Sequence, residues 1–364
     1  MRRKAIALLS GGLDSTLAIL IILKQDIDIT AITFLTHFGC SIEDHSSCST
    51  NPFPVAGKFG FKVKLYHLSD KFVEIVKAPR FGHGKNMNPC IDCRILMLKE
   101  AKELMDLTGA DFVITGEVLG QRPMSQRRET MQLISRESGL DGRVLRPLSA
   151  KLLPPTIPET NGIVDRERLY GISGRSRKQQ IAIAREFRLV EYPNPSGGCL
   201  LTDPIFSKRL RDLLRYNPEP NFNDLNLLKV GRHFRVSDRC KIIVGRNKQE
   251  NHIISELRSK DDYLLEVKGV GSPLVLVRGE DASEFLELSA SICVRYSDSK
   301  EKPQVSVDVH PAPRESPTCQ GGKERNLVSA GSDPEAAGVN PWCGVGKITV
   351  EPAKTEILEK YRIK

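Results

Sequence analysis

The chain has 364 residues, with 54 Lys and Arg against 45 Asp and Glu and a formal net charge of +9. This length suffices for two domains with substantial cores. The longest apolar stretch, Leu17 to Leu23, is too short to cross a membrane, and no apolar leader precedes the first predicted strand. The composition argues against a membrane or secreted protein. We expect a cytoplasmic protein with no membrane partner, whose nine cysteines stay reduced.

The first predicted elements are a strand over 4–9, a loop that reads SGGLDS over 10–15, and a helix. The two glycines let the backbone turn tightly and expose consecutive N–H groups, and the helix N-terminus adds partial positive charge. The loop therefore suits a phosphate or pyrophosphate, with hydroxyl donors from Ser10 and Ser15 and with Asp14 available to hold Mg²⁺. The alternative interpretation is an ordinary turn with a serine at the helix N-cap.

The SGGLDS run resembles the PP-loop of the ATP pyrophosphatases and matches the pattern SGGxDS at every fixed position. Members of that family cleave ATP between the α and β phosphates, adenylate a carbonyl oxygen and release pyrophosphate. The resemblance implies an α/β fold with a doubly wound parallel sheet of the adenine nucleotide alpha hydrolase type, and it implies ATP and Mg²⁺ as cofactors. It gives Asp14 a catalytic role as well. The residues that it implies for binding pyrophosphate are Ser10, Gly11, Gly12, Asp14 and Ser15.

Three cysteines form a second group of candidate functional residues. Cys90 and Cys93 lie three residues apart at the start of a predicted helix, a position that favours the thiolate. Such a pair is typical of a redox dithiol, half of a zinc site or part of an iron–sulfur site. Cys199 follows a Pro/Gly run that could place it in a cleft, and the alternative is that it is a small buried apolar residue.

A third segment follows the predicted buried strand 111–115 and reads GEVLGQRPMSQ over 116–126. Ligands of α/β sheets bind beyond the carboxyl ends of the strands, so Gly116 and Gln121 are predicted to belong to the cofactor site. The chain here resembles the ThiI-type tRNA 4-thiouridine synthases, and the loop before Cys90 resembles that of the tRNA 2-thiouridylases. These resemblances imply that the activated carbonyl belongs to a tRNA uridine.

The sequence leaves the source of sulfur open. It has no obvious rhodanese-like segment, so a cysteine desulfurase, a persulfide carrier and sulfide are all candidate donors. Cys90, Cys93 and Cys199 resemble the metal-ligating set of the cluster-dependent tRNA thiolases, which implies a [4Fe–4S] cluster with one open iron. The competing 2-thiouridylase pattern implies one of Cys90 or Cys93 as the nucleophile and a persulfide on Cys199. We favour the cluster, because the persulfide route leaves one close cysteine without a role.

Basic residues are concentrated after the third segment. Between residues 121 and 190 there are 14 basic and 7 acidic residues, so this stretch supplies +7 of the net charge. Arginine-rich surfaces beside a cleft suit contacts with a phosphate backbone, whereas the alternative is a solvated helix face. We therefore predict RNA contacts from Arg122, Arg127 and Arg128.

Short strands separated by Gly, Asn and Asp predict a second, smaller α+β domain beyond residue 204. The segments GRHFR over 231–235 and KIIVGRN over 241–247 resemble the RNA-binding module of NFACT proteins. The basic residues of these segments, interleaved with an aromatic ring, suit stacking and phosphate contact. The predicted RNA-binding residues in this domain are Arg232, Arg235, Lys241 and Arg246.

The sequence thus predicts four segments. They are a PP-loop thiolation domain over 1–204, an RNA-binding domain over 205–309, a disordered linker over 310–346 and a short strand and helix over 347–364. The linker is rich in Pro, Gly, Ser, Glu and Ala and has no apolar periodicity, so burial cannot offset the entropy of ordering it. It contains Cys319 and Cys343, whose roles stay open.

The function that these features favour is an ATP-dependent tRNA sulfurtransferase, which adenylates a uridine carbonyl oxygen and replaces it with sulfur to form thiouridine. Its predicted partners are tRNA and a sulfur donor. One alternative is a PP-loop ligase that acts on a small molecule or a deazaguanine precursor. Another is a non-catalytic RNA-binding adaptor that has kept only the PP-loop scaffold.

Overall fold

The computed structural model describes residues 3–38, 51–190, 192, 199–311 and 346–363. Its contacts divide the chain into two units, residues 1–207 and 208–364. Each unit has its own sheet and its own core, and each is described by itself below. Within the described ranges, no helix is both long enough and apolar enough to cross a membrane.

The first unit is built on five parallel strands in the order β3-β2-β1-β4-β5. The strands are β1 Lys4–Leu8, β2 Asp28–Leu35, β3 Lys62–His67, β4 Phe112–Ile114 and β5 Val144–Leu145. The helices of this unit are α1 Leu13–Leu23, α2 Phe53–Phe59, α3 Ser69–Lys77, α4 Cys90–Thr108, α5 Arg128–Glu137, α6 Ile157–Thr160 and α7 Lys178–Glu186. This is the predicted α/β fold with a doubly wound parallel sheet, which is confirmed.

The strand order places a switch point between β1 and β4. From β1 the chain winds outward through β2 and β3, and it then returns to the other side of β1 to form β4 and β5. Parallel strands whose connections diverge in this way leave a crevice at their carboxyl ends. The SGGLDS loop follows β1 and the GEVLGQ run follows β4, so the fold brings the two predicted segments to the same crevice.

Helix α1 is apolar on most of its surface, which is why it lies in the core. Nine of its 11 residues are buried, and it packs against α7 as well as the sheet. The same core includes the strand residues Ala5, Ala7 and Ile29 and the buried face of α7. Two helices that bear on the site, α1 and α7, are therefore fixed relative to each other by apolar packing.

The second unit contains a six-stranded antiparallel sheet in the order β11-β10-β8-β9-β7-β6. Its elements are α9 Phe222–Leu227, β6 Arg232–Ser237, β7 Cys240–Val244, α10 Lys248–Glu256, β8 Tyr263–Glu266, β9 Val275–Gly279, α11 Leu286–Arg295, β10 Val305–Pro311, β11 Gly346–Val350 and α12 Thr355–Tyr361. Helix α8, Pro204–Tyr216, spans the boundary between the two units. The predicted second α+β domain is confirmed as a separate antiparallel-sheet domain.

The predicted linker over 310–346 is wrong at both ends. His310 and Pro311 belong to β10, and Gly346 begins β11, which pairs with β10. Side-chain packing explains the difference, because Val305, Val307 and Val309 alternate on the buried face of β10. Residues 312–345, with Cys319 and Cys343, lie outside the described residues.

Candidate active site

The SGGLDS loop forms a compact turn between β1 and α1. Gly11 has φ of +74°, a left-handed conformation that a side chain rarely adopts. The Ser10 and Ser15 hydroxyls lie 3.2 Å apart, and Ser15 Oγ donates to the carbonyl oxygen of Gly12 at 2.9 Å. The N-cap of α1 is Gly12 and has no side-chain cap. The alternative of an ordinary turn capped by a serine is therefore wrong.

Asp14 is a buried carboxylate with only one oxygen bonded. Gln121 Nε2 donates to Asp14 Oδ2 at 2.9 Å, whereas the buried Oδ1 accepts no hydrogen bond. Burial raises the pKa of Asp14, and the Gln121 hydrogen bond and the charges of Arg177 and Arg122 oppose that rise. A carboxylate oxygen left without a donor is a ligand that fits a hard cation such as Mg²⁺.

Gly116 closes the other side of the loop. A Cβ atom at this position would lie 2.4 Å from the backbone N of Ser15 and 2.5 Å from its Cα. These neighbours are backbone atoms, which cannot turn aside as a flexible side chain can. The backbone after β4 therefore runs directly against the loop after β1, and only glycine allows this approach. The predicted placement of Gly116 beside the loop agrees with this geometry.

The segment that carries Gln121 is fixed on both sides. The Gly120 N–H donates to the Gln126 carbonyl at 2.7 Å, and the Gly174 N–H donates to the Leu119 carbonyl at 2.7 Å. Leu119 and Ser173 also form an isolated parallel bridge. The chain before α7 is thereby held against the Gln121 segment. These contacts hold Gln121 at the position from which its amide donates to Asp14.

Sequence reasoning missed the contribution of α7. Arg177, at the N-cap of this helix, and Gln180, one turn later, both act on the Asp14 carboxylate. Gln180 is fully buried, and neither atom of its amide makes a hydrogen bond of ordinary geometry. The signal available in the sequence was the i, i+3 spacing of Arg177 and Gln180, which puts them on one helix face.

The thiol segments are brought together by backbone contacts. Cys90 is the first residue of α4, and Cys93 lies one turn later. In the loop before them, Asn86 Nδ2 donates to the Thr202 carbonyl at 2.7 Å, and the Met87 N–H donates to the Leu201 carbonyl at 3.1 Å. The segment after Cys199 is therefore tied to the loop that leads to Cys90.

The arrangement of these residues does not fit the favoured iron–sulfur cluster. Across the ranges that the structure describes, no three His, Cys, Asp or Glu residues are grouped so that they could hold a metal ion. Cys199 Sγ instead donates to the Phe38 carbonyl at 3.5 Å. Residues 193–198, just before Cys199, lie outside the described ranges. No reaction step is therefore derived through a cluster.

A buried ion network joins α4 to the crevice. Glu117 accepts from Arg146 Nε at 3.0 Å, and Arg94 Nε lies 3.7 Å from its other carboxylate oxygen. Burial alone would raise the pKa of Glu117, but the charges of Arg146 and Arg94 and the hydrogen bonds from Arg146 and Thr115 hold it below its ordinary value. Arg94 follows Cys93 directly, and Glu117 follows Gly116 directly. The ion pair between Arg94 and Glu117 therefore links the thiol helix α4 to the segment beside the loop.

The predicted RNA-binding residues fall into two groups. Arg122, Arg127 and Arg128 are exposed, although Arg128 Nη2 also donates to the Leu152 carbonyl at 2.6 Å. In the second unit, Arg232 lies over the Tyr296 ring at 4.5 Å, and Arg246 pairs with Glu250.

Lys241 requires a correction. Its side chain is only 9% exposed, and its Nζ lies 3.5 Å from Asp212, which also holds Arg235 at 2.7 Å. Burial lowers the pKa of Lys241 to about 8, with Asp212 opposing that change. A buried cation with a carboxylate partner stabilises the module and cannot reach an RNA phosphate. The remaining arginines stay predictions as RNA contacts.

The first unit is an α/β domain with a crevice at its β1/β4 switch point, and a separate antiparallel domain follows it. Residues 1–151 match the family model "Thiamine biosynthesis protein (ThiI)", and residues 231–321 match "NFACT protein RNA binding domain". The two segments are thus similar to a ThiI domain and to an NFACT RNA-binding domain, in that order along the chain. Both predicted resemblances are confirmed.

Three curated relatives are similar to parts of the chain. A probable tRNA sulfurtransferase of Thermococcus kodakarensis is 28% identical over 154 residues, 40% of this chain and 36% of the relative. A probable tRNA sulfurtransferase of Ureaplasma parvum is 35% identical over 155 residues, 40% of this chain and 37% of the relative. The bifunctional protein NifU/MnmA of Rubrobacter xylanophilus is 26% identical over 252 residues, 65% of this chain and 47% of the relative. The chain therefore spans between about a third and a half of the length of these relatives.

The first prediction concerns the contact between Gly116 and Ser15. We expect Gly116→Ala to lower the free energy of unfolding by about 1–3 kcal/mol, because its Cβ would press on backbone that cannot move aside. The matched control is Gly57→Ala in α2, where an added Cβ meets nothing within 4 Å. That control should leave stability unchanged or raise it by roughly 0.5–1 kcal/mol. Urea unfolding of both variants measures the difference, and equal stabilities would contradict the contact.

The second prediction concerns Glu117 and pH. A carboxyl whose pKa is lower in the folded state than its ordinary value of 4.5 contributes stability above that value and loses it as pH falls through the folded pKa. Glu117→Gln should therefore be less stable than the parent at pH 7, by about 3–5 kcal/mol for a broken buried ion pair. The gap should narrow below pH 4.5. Glu129→Gln, at an exposed position on α5, is the control, and a gap that does not change with pH would contradict this account.

Proposed function

We propose that the chain is an ATP-dependent tRNA sulfurtransferase that converts a uridine carbonyl to a thiocarbonyl. The observation that supports the proposal is that the first unit contains two features which such a reaction would need. One is the loop with Asp14 and Gln121 at the β1/β4 crevice. The other is the pair of linked thiol segments, whose helix is joined to the crevice through Arg94 and Glu117.

The first step is adenylation. The uridine carbonyl oxygen attacks the α-phosphorus of ATP, the bond between the α-phosphorus and the bridging oxygen breaks, and pyrophosphate leaves. The N-terminus of α1 and the Ser10 and Ser15 hydroxyls would bind the departing phosphates. Asp14 would hold Mg²⁺, which neutralises the charge that develops on them. Burial of Asp14 makes this electrostatic contact stronger than it would be in water.

The second step replaces oxygen with sulfur. A sulfur nucleophile attacks the activated ring carbon, and AMP leaves with the former carbonyl oxygen, so the two steps together divide one high barrier into two lower ones. We assign the nucleophile to a persulfide on Cys199, loaded by an external persulfide donor. After the attack, the transferred sulfur joins the ring carbon to Cys199 Sγ. A thiolate from Cys90 or Cys93 would then attack Cys199 Sγ, break its bond to the transferred sulfur and release the thiouridine. The resulting disulfide between the two cysteines must be reduced by a cellular dithiol.

The relatives that share this domain support tRNA as the substrate. Two of them are named tRNA sulfurtransferases, and the second unit matches an RNA-binding domain. The exposed Arg122, Arg127 and Arg128 follow the Gln121 segment, where phosphate contacts would hold the target base near the activation site. Positioning of this kind converts a bimolecular encounter into a reaction within one complex.

The third prediction tests activation. We expect Asp14→Asn to reduce tRNA-dependent pyrophosphate release by at least about a hundredfold. A neutral amide would hold Mg²⁺ more weakly than a carboxylate does, and the charge that develops on the phosphates would then lack its cation. The tRNA affinity should stay within about twofold of the parent, since the buried Asp14 carboxylate is not one of the proposed RNA contacts. Asp28→Asn, an exposed position at the start of β2, is the control. Parent-like pyrophosphate release from Asp14→Asn would remove the activation site from this loop.

The fourth prediction separates activation from sulfur transfer. In Cys199→Ser, tRNA-dependent pyrophosphate release should persist, whereas thiouridine formed from a persulfide donor should fall below about a hundredth of the parent level, because serine cannot carry the sulfur. Mass spectrometry of digested tRNA nucleosides measures the product. Normal thiolation by Cys199→Ser would exclude Cys199 as the carrier. Pyrophosphate release that needs a small molecule in place of tRNA would favour the ligase alternative.

A further inference from the structure

Gln180 is a buried polar residue whose amide acts on the Asp14 carboxylate. Its side chain is fully inaccessible to solvent, yet neither Nε2 nor Oε1 makes a hydrogen bond of ordinary geometry within the described residues. Buried amides in folded proteins are almost always hydrogen-bonded, since an amide without a partner costs the protein stability. The interaction with Asp14 does not satisfy the Gln180 amide fully, so the amide keeps hydrogen-bonding capacity for a group outside the chain.

The position of Gln180 points to the nucleotide crevice. It lies in the first turn of α7, the helix that packs on α1. The chain just before α7 is hydrogen-bonded to the Gln121 segment through Gly174 and Leu119. Gln121 in turn donates to Asp14. Two independent contacts, one through helix packing and one through the loop, therefore place the start of α7 beside the Asp14 carboxylate.

The unbonded atoms form a complementary set. Asp14 Oδ1 and both atoms of the Gln180 amide lack a hydrogen bond of ordinary geometry, although the amide acts on the Asp14 carboxylate and opposes the rise of its pKa. A phosphate group offers only acceptors and would leave both oxygens unsatisfied. A hydrated Mg²⁺ bound to a phosphate would take Asp14 Oδ1 as a ligand, its water would donate to Gln180 Oε1, and a phosphate oxygen would accept from Nε2.

We infer that Gln180 is a nucleotide-binding residue, whose amide contacts the hydrated Mg²⁺–phosphate group of ATP together with Asp14. This inference rests on the proposed function, because it takes ATP as the ligand of the crevice. It adds α7 as a third wall of the site, after the loop that follows β1 and the segment that follows β4. Arg177, one turn earlier on the same helix, brings a cation to the same wall.

The inference predicts opposite effects on stability and on binding. Gln180→Met keeps the length and helix propensity of the side chain but removes both unsatisfied atoms. The nucleotide-free variant should therefore melt at a temperature roughly 2–4 °C higher than the parent. Its Kd for Mg·ATP should rise at least about tenfold, since the ligand loses the hydrogen bonds of the amide. A residue with a purely structural role would not give this combination.

The experiment uses the full chain, with melting followed by calorimetry and with Kd measured for ATP in excess Mg²⁺ and in EDTA. Gln179→Met is the matched control, because Gln179 is the exposed neighbour on the same helix and should change neither quantity. The loss of affinity in Gln180→Met should be larger with Mg²⁺ than with EDTA. Gln180→Leu repeats the test with a second apolar side chain.

Three results would overturn the inference while the proposed function stands. One is a parent that binds Mg·ATP together with a Gln180→Met variant whose Kd lies within twofold of it. Another is a nucleotide-free Gln180→Met and Gln180→Leu pair that both melt below the parent. The third is an equal loss of affinity with and without Mg²⁺, which would overturn the contact with the hydrated cation. A parent that binds no Mg·ATP would instead remove the proposed function, and the inference with it.

Discussion

The candidate site depends on the approach of two backbones at the β1/β4 switch point. Gly116 lies so close to Ser15 that no side chain fits between them. This contact fixes the distance between the loop after β1, which carries Asp14, and the segment after β4, which carries Gln121. The Gln121–Asp14 hydrogen bond follows from it, because an amide on a displaced segment could not reach the carboxylate. Parallel pairing of β1 and β4 positions the two segments, and the absence of a Cβ atom at Gly116 allows their close approach.

The crevice contains buried polar groups that lack hydrogen bonds of ordinary geometry, and the proposed ligand would supply partners for them. Burial raises the pKa of Asp14, so the folded chain resists the charged form that a cation would need. Gln180 adds a buried amide that makes no hydrogen bond of ordinary geometry. In a site that serves only stability, substitution would have removed such groups, because apolar residues of similar size cost less. A cation and its phosphate would supply the missing charge and hydrogen bonds together.

The features that could be predicted from the sequence are those whose signal is local or follows from the order of the strands. The SGGLDS loop could be predicted because its signal is contained in six residues between a strand and a helix. Gly116 and Gln121 could be placed because parallel strands end at one edge of the sheet. Gln180 could not be found in this way, since its burial arises from the packing of α7 on α1. The strand β10 was missed because its alternating valines border a segment whose composition predicts disorder.

Lys241 is a residue for which the local sequence pattern gave a wrong prediction, because its partner lies outside that pattern. A cluster of basic residues with an aromatic neighbour reads as an RNA surface, but β7 is an interior strand between β6 and β9. Its lysine is satisfied by Asp212 of α8, a residue about thirty positions earlier that a local window does not include. The contrast with Glu117 is instructive, because that buried charge also has distant partners, Arg94 and Arg146, yet it lies at the crevice. An ion pair with a residue far away in the sequence therefore does not tell a buried charge of the domain core from a buried charge beside the crevice. Position relative to the strand ends does: the strand of Lys241 packs inside a sheet, whereas Glu117 follows the end of β4 and connects the thiol helix to the segment that contacts the PP-loop.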